Sequence, residues 1–113
     1  MKELIFKLKE TIYTGTTGTT TISTDFILKQ SFRALLLYEE LFGIQYIDDG
    51  KMNSRYKLLY CMLRAANKVI FNYNYDQFID LLDDNQDSVE EFIKYLKSLA
   101  LPDADFDDKK KAQ

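Results

Sequence analysis

Hydrophobic periodicity changes once along this chain, near residue 30, and that change sets the order in which its elements are built. From Glu3 to Tyr13 and from Thr20 to Leu28 the side chains alternate roughly with period two, Leu4, Phe6 and Leu8 against Ile5, Lys7 and Lys9, then Ile22, Phe26 and Leu28. Alternation sends successive side chains to opposite faces of extended chain, so both segments are expected to be β-strands. Residues 14 to 20 between them, TGTTGTT, join permissive glycines to threonines that favour extended chain over helix. A β-hairpin with a loose tip is the expected outcome.

Beyond Gln30 the spacing becomes helical. Ser31 is placed to cap a helix running to about Phe42, and Gly43 sits where a left-handed residue ends one. Apolar residues surround this helix: Phe32, Leu35 and Leu36 lie on one side, Ala34, Leu37, Tyr38 and Leu41 spread over the rest, and only Arg33, Glu39 and Glu40 are polar. Such a helix is central to its fold or covered by a partner. Ile44 to Ile47 reads as a short extended piece and Asp48-Asp49-Gly50 as a turn. A second helix is expected from Asn53 or Ser54 to about Phe71, with Tyr56, Leu59, Met62, Leu63, Ala66 and Ile70 inward.

Asn74 and Gln77 have the spacing of a capping box, with Tyr73 and Phe78 placed as its hydrophobic staple, and start a third helix at Tyr75 that runs through Asp84. Asn85 reads as a left-handed stop and Asp87 with Glu90 as a second capping pair. Val89, Phe92, Ile93, Leu96, Leu99 and Ala100 then form the stripe of a fourth helix ended by Leu101-Pro102. The expected fold is α+β, mainly α: an N-terminal β-hairpin (1–30) followed by a bundle of about four helices (31–102), as a single domain over residues 1–102. Residues 103–113, DADFDDKKKAQ, carry too little apolar surface to pack and are expected to form a disordered charged tail.

Composition narrows the chemistry. The chain has no histidine, and so lacks the usual general base near neutral pH and the commonest metal ligand. Cys61 has no partner for an internal disulfide, which suits a reducing compartment. Met1 to Leu8 mixes charged with apolar residues, unlike a signal peptide, and the longest apolar run, Ala34 to Tyr38, is far below the roughly 18 residues of a membrane span. A soluble, cytoplasmic protein without membrane contact is expected. Lys51, Arg55, Lys57, Arg64 and Lys68 form a basic stretch, while the chain from Asp76 to Asp108 is strongly acidic. A pI near 4.9 argues against a nucleic-acid partner.

Candidate sites of chemistry fail on spacing. In DDNQDSVEE a calcium loop starting at Asp83 puts Ser88 where glycine is needed and Lys94 where the bidentate Glu belongs, and one starting at Asp80 puts Leu82 at a ligand position. Glu39 and Glu40 are adjacent on a helix, so they diverge by about 100° and cannot act as an acid/base pair. TGTTGTT lacks the lysine of a phosphate-binding loop. The expectation is a protein that is not an enzyme and has no catalytic residues, metal site or cofactor.

Tyr38-Glu39-Glu40 with Gly43 and Tyr46, then Tyr75-Asp76-Gln77-Phe78 with Leu81-Leu82-Asp83, and Glu90-Glu91-Phe92 together resemble the tail assembly chaperones of long-tailed bacteriophages, over about Phe32 to Leu96. The resemblance implies a protein of the bacterial host cytoplasm that binds the helical tape measure protein, keeps it soluble and helps tail tube protein assemble around it; a homo-oligomer is compatible with that role. The client-binding residues expected on this basis are Phe32, Leu36, Tyr38, Phe42 and Tyr46. Members of the family are often made in two lengths by a frameshift near the end of the short form, and the codons for Lys109-Lys110-Lys111 are where one is expected. The alternatives are a structural subunit of a phage tail or connector, and a small DNA-binding regulator using the helix at residues 54 to 70.

Overall fold

A computed structural model describes residues 3–15 and 18–99. Strands β1 (Leu4–Thr14) and β2 (Gly18–Leu28) pair antiparallel in a register that sets Leu4 opposite Leu28, Phe6 opposite Phe26 and Leu8 opposite Thr24. Alternation then does what the sequence required: Phe6, Leu8, Phe26 and Leu28 enter the core, while Ile5, Lys7, Lys9 and Ile27 face away from it. The ladder extends closer to the tip than the TGTTGTT segment implied, since Thr14 pairs with Gly18 and Tyr13 with Thr19. Threonine's stiff, branched side chain is at home in a strand, and Gly15, at φ 61°, takes the left-handed backbone that starts the turn.

Four helices follow: α1 (Phe32–Phe42), α2 (Met52–Ala66), α3 (Tyr75–Leu82) and α4 (Gln86–Lys97). The fold is therefore α+β, mainly α, with its hairpin first. Helix α2 is the centre, buried without a break from Leu58 to Leu63 because α1, β2 and α3 all pack against it. Helices α3 and α4 lie against β1. An aromatic cluster joins the layers: the Phe71 ring lies 5.2 Å from Phe26, 5.6 Å from Tyr60 and 5.5 Å from Phe78, all near edge-to-face.

Two asparagines attach the hairpin to the helices. A two-stranded hairpin is marginal alone, and each strand exposes an unpaired edge. At the β1 edge the Asn85 Oδ1 accepts from the Lys9 N–H at 2.6 Å, while its Nδ2 donates to the Lys9 carbonyl at 3.0 Å and to the Leu81 carbonyl at 2.7 Å. At the β2 edge Asn67 repeats the arrangement, accepting from the Ile27 N–H at 3.0 Å and donating to the Ile27 and Leu63 carbonyls, both at 2.8 Å. The Ser88 hydroxyl adds a bond to the Lys7 carbonyl at 2.6 Å. Each amide thus ties a helix terminus to a strand edge, and both side chains are buried.

These bonds correct several sequence-based boundaries. Helix α2 stops at Ala66 and does not reach Phe71, because the Asn67 amide is engaged by β2 and its backbone, at φ −130° and ψ 54°, leaves the helix. The chain turns over residues 68–70, so Ile70 is exposed instead of facing the core, while Phe71 folds inward. Asn85 is not left-handed; at φ −131° it occupies the N-cap position of α4 with its side chain turned to β1. Helix α3 correspondingly ends at Leu82, short of Asp84. Asp87 lies inside the first turn of α4, where its charge suits the positive helix end, and forms no capping box with Glu90. The Asn74–Gln77 box is present, with bonds of 2.8 and 2.9 Å. Ala100, Pro102 and the tail expected over 103–113 lie outside the described residues.

We expect Asn67→Ala and Asn85→Ala each to lower the unfolding free energy by about 2 kcal/mol or more, since each strands buried backbone groups. Urea unfolding measures this, and unchanged midpoints would show that the edges do not need the amides.

Candidate functional site

Helix α1 and the segment after it carry five exposed large apolar side chains among the described residues. Ser31 starts the helix by accepting the Ala34 N–H at 3.1 Å, and Gly43, at φ 79°, ends it by donating to the Glu39 carbonyl at 2.9 Å. Between these caps the helix turns Ala34 and Tyr38 onto α2, and small Ala34 lets the two helices approach closely. The opposite side is left open: Phe32 is 86% exposed and Leu36, one turn on, is 52% exposed. Leu41, Ile44 and Ile47 are also exposed. Phe32, Leu35 and Leu36 border a cleft of about 320 Å³ that Glu39, Gln45 and Tyr46 complete.

The five expected client-binding residues therefore separate. Phe32 and Leu36 lie together on the solvent side of α1. Tyr38 and Tyr46 are core residues, 2% and 1% exposed, with their rings 5.3 Å apart and edge-to-face. Phe42 is half-buried between them and α3: its ring lies 5.2 Å from Tyr38 and 5.4 Å from Tyr75, and the Lys57 ammonium sits 5.0 Å from its centre. Tyr38 is buried because α2 packs on the side of α1 that the i, i+4 residues Ala34, Tyr38 and Phe42 share, and Tyr46, beyond the helix, folds back onto Tyr38. Ile44 and Ile47 also belong to the open surface, which their place in a short extended piece gives no sign of.

The turn beneath this surface is ordered by carboxylates. Asp48 accepts the Gly50 N–H at 3.1 Å and forms an ion pair with Arg55 at 3.3 Å. Asp49 accepts the Lys51 N–H at 2.9 Å and the Ser54 hydroxyl at 3.2 Å, and the Lys51 bond leads the effects that hold its pKa below the ordinary carboxylate value. The Tyr46 hydroxyl is buried and makes no hydrogen bond. Burial, followed by the negative charge of Asp48, pushes its pKa well above that of a free phenol.

Among the described residues no group of three or more His, Cys, Asp or Glu gathers to hold a metal ion, and no helix is long and apolar enough to cross a membrane. Cys61 is buried in mid-α2, and burial raises its thiol to about 12, so it stays protonated near neutral pH. The site's capacity is to hold an apolar side chain, with Glu39 and Gln45 at its rim. Comparison with protein-family models, with curated proteins and with solved structures finds no match.

Tyr46→Phe should raise the unfolding free energy by about 1 kcal/mol, because it removes a buried hydroxyl that gains no bond on folding. A lowered midpoint in chemical denaturation would contradict the orphan status of that oxygen.

Proposed function

We propose that this protein is a non-catalytic client-binding protein, a tail assembly chaperone of the kind that residues 32 to 96 resemble, acting in the bacterial cytoplasm. Its client is the helical tape measure protein, which it keeps soluble while tail tube protein assembles. The observation that carries this reading is the pairing of Phe32 and Leu36 on the open side of α1 beside an apolar cleft. An amphipathic client helix buries its own stripe in a surface of this kind, and apolar residues one turn apart match its spacing. The inward residues Tyr38, Phe42 and Tyr46 act through the shape they give α1.

A structural subunit of a phage tail or connector is the second reading, and the distal half of the hairpin favours it. Ile12 and Ile22 share the inner face of the sheet with Phe6 and Phe26, yet they are 38% and 45% exposed, because the strands run past the helices. A subunit would cover this face with its neighbours and form a stable ring or tube in isolation, which analytical ultracentrifugation detects.

The chaperone reading is tested by co-expression with the product of the long, helix-rich reading frame expected next to this gene. The wild-type chain should keep that product soluble and co-elute with it. Phe32→Glu with Leu36→Glu should abolish co-elution while the far-ultraviolet circular dichroism stays unchanged, since both side chains project into solvent. Co-elution that survives the double substitution would remove α1 as the docking surface, and a product that stays soluble without this chain would remove the chaperone role.

A further inference from the structure

A second cleft, of about 600 Å³, lies on the other flank of α1 and differs in its chemistry. Arg33 of α1, Arg64 at the end of α2 and Lys68 in the turn after it supply three positive charges, in a cleft whose aromatic lining is the half-buried Tyr73 with the core residues Tyr60 and Phe71 behind it. The two ion pairs among the described residues, Arg55 with Asp48 and Lys94 with Glu91, involve none of these cations. Arg64 donates to the Tyr60 hydroxyl at 3.2 Å with its guanidinium 5.8 Å from that ring, which orients the group without neutralising it. Among the described residues Glu10 is the one carboxylate bonded to a lining residue, accepting from the Tyr73 hydroxyl at 2.9 Å. Burial and Glu10 together push the Tyr73 phenol up to about 12, so it remains a donor.

The capping box completes a wall of donors. Its two bonds engage the Asn74 Oδ1 and the Gln77 Oε1, which fixes the amide orientations and leaves both NH₂ groups turned away from those bonds. Both residues line the cleft. Cations and amide donors thus surround an aromatic floor, in a chain whose formal net charge is −3. This is the chemistry that recognises carboxylates beside an aromatic ring, by charge-assisted hydrogen bonds and by edge-to-face packing. The volume falls in the range of roughly 300–1,000 Å³ that accepts a few side chains.

The geometry points to this cleft as a docking site for an acidic segment of a partner protein, one that sets an aromatic side chain between carboxylates. The aromatic ring packs on the half-buried Tyr73, and the carboxylates pair with Arg33, Arg64 and Lys68. Nucleic acid offers a comparable charge, but a chain of formal net charge −3, acidic from Asp76 onward, repels a long polyanion. A short acidic peptide carries fewer charges, so it meets the cations against less of that repulsion. The site stands independently of the apolar side of α1, since none of the residues argued here borders that cleft.

The experiment uses the full ¹⁵N-labelled chain and an end-blocked Asp-Asp-Phe-Asp-Asp peptide, followed by chemical shifts of the backbone and arginine Nε signals. Saturable shifts are expected at Arg33, Arg64, Lys68 and Phe71, weakening as salt rises. Asn-Asn-Phe-Asn-Asn and Asp-Asp-Ala-Asp-Asp should each bind less well. Arg33→Glu with Lys68→Glu, neither of which has a bonded partner to lose, should weaken binding about tenfold. Arg33→Lys with Lys68→Arg keeps the charges and should restore it. No saturable shifts at these residues, or equal binding of the Asn peptide, would overturn the proposal. Tighter binding of an oligothymidylate of matched charge would overturn it in favour of nucleic acid. Replacing Asp103, Asp105, Asp107 and Asp108 by Asn tests the chain's own acidic segment: movement of the Arg64 and Lys68 signals without peptide would show it to be the occupant and exclude a partner.

Discussion

The attachment of a two-stranded hairpin to a helical core depends on two carboxamides. A sheet of two strands buries one face, and here only the half nearest the helices is covered, so side-chain packing alone leaves its edges open. Asn67 and Asn85 close those edges from opposite sides, each donating to and accepting from a single strand residue as a neighbouring strand would. The same amides bond to the Leu63 and Leu81 carbonyls, which belong to the last turns of α2 and α3. Helix ends and strand edges, each of which leaves polar backbone groups unpaired, therefore satisfy one another.

Around that attachment the core is graded by chemistry. Aromatic rings dominate where α2 meets β2 and α3, and they tolerate tilted contacts at centroid distances between 5.2 and 5.7 Å around Tyr60 and Phe71. Aliphatic side chains prevail elsewhere along α2. Polar reach is concentrated at the tyrosines, whose hydroxyls fasten neighbouring segments: Tyr60 to the Tyr73 carbonyl at 2.6 Å, and Tyr95 accepting from the Gln30 N–H at 3.1 Å. The second of these holds α4 to the segment that launches α1, and so helps fix the direction in which α1 leaves the sheet.

Much of this was legible locally. Alternation located both strands and the inner face, and the Asn74–Gln77 box, Ser31 and Gly43 announced their caps within a few residues of where they act. What escaped was carried by partners distant in sequence. The bonds from Asn67 and Asn85 to the strands span 40 and 76 residues, and an asparagine beside a helix end reads as an ordinary cap or stop without knowledge of the strand beside it. The α2 boundary failed for that reason, since the helical spacing of Ala66 and Ile70 continues past the residue that terminates it. The candidate surface was half legible. A helix apolar on every side does not say which side its neighbour takes, so Phe32 and Tyr38 looked alike until α2 settled on the Ala34 side. The basic stretch from Lys51 to Lys68 was visible, but its meeting with Arg33 across a cleft was not, because that residue comes from another helix.

The uncovered half of the hairpin gives the molecule a lever. Beyond the Lys9 clamp the strands continue for about five residues, roughly 17 Å of extended chain. Rotation by about 10° at the clamp would sweep the far end through about 3 Å on that arm. The end that carries Ile12 and Tyr13 would be displaced most by such a rotation, while the face held by Phe6 and Phe26 would hardly move. A small change of angle at the clamp is thus magnified along one element, while its near end keeps the register.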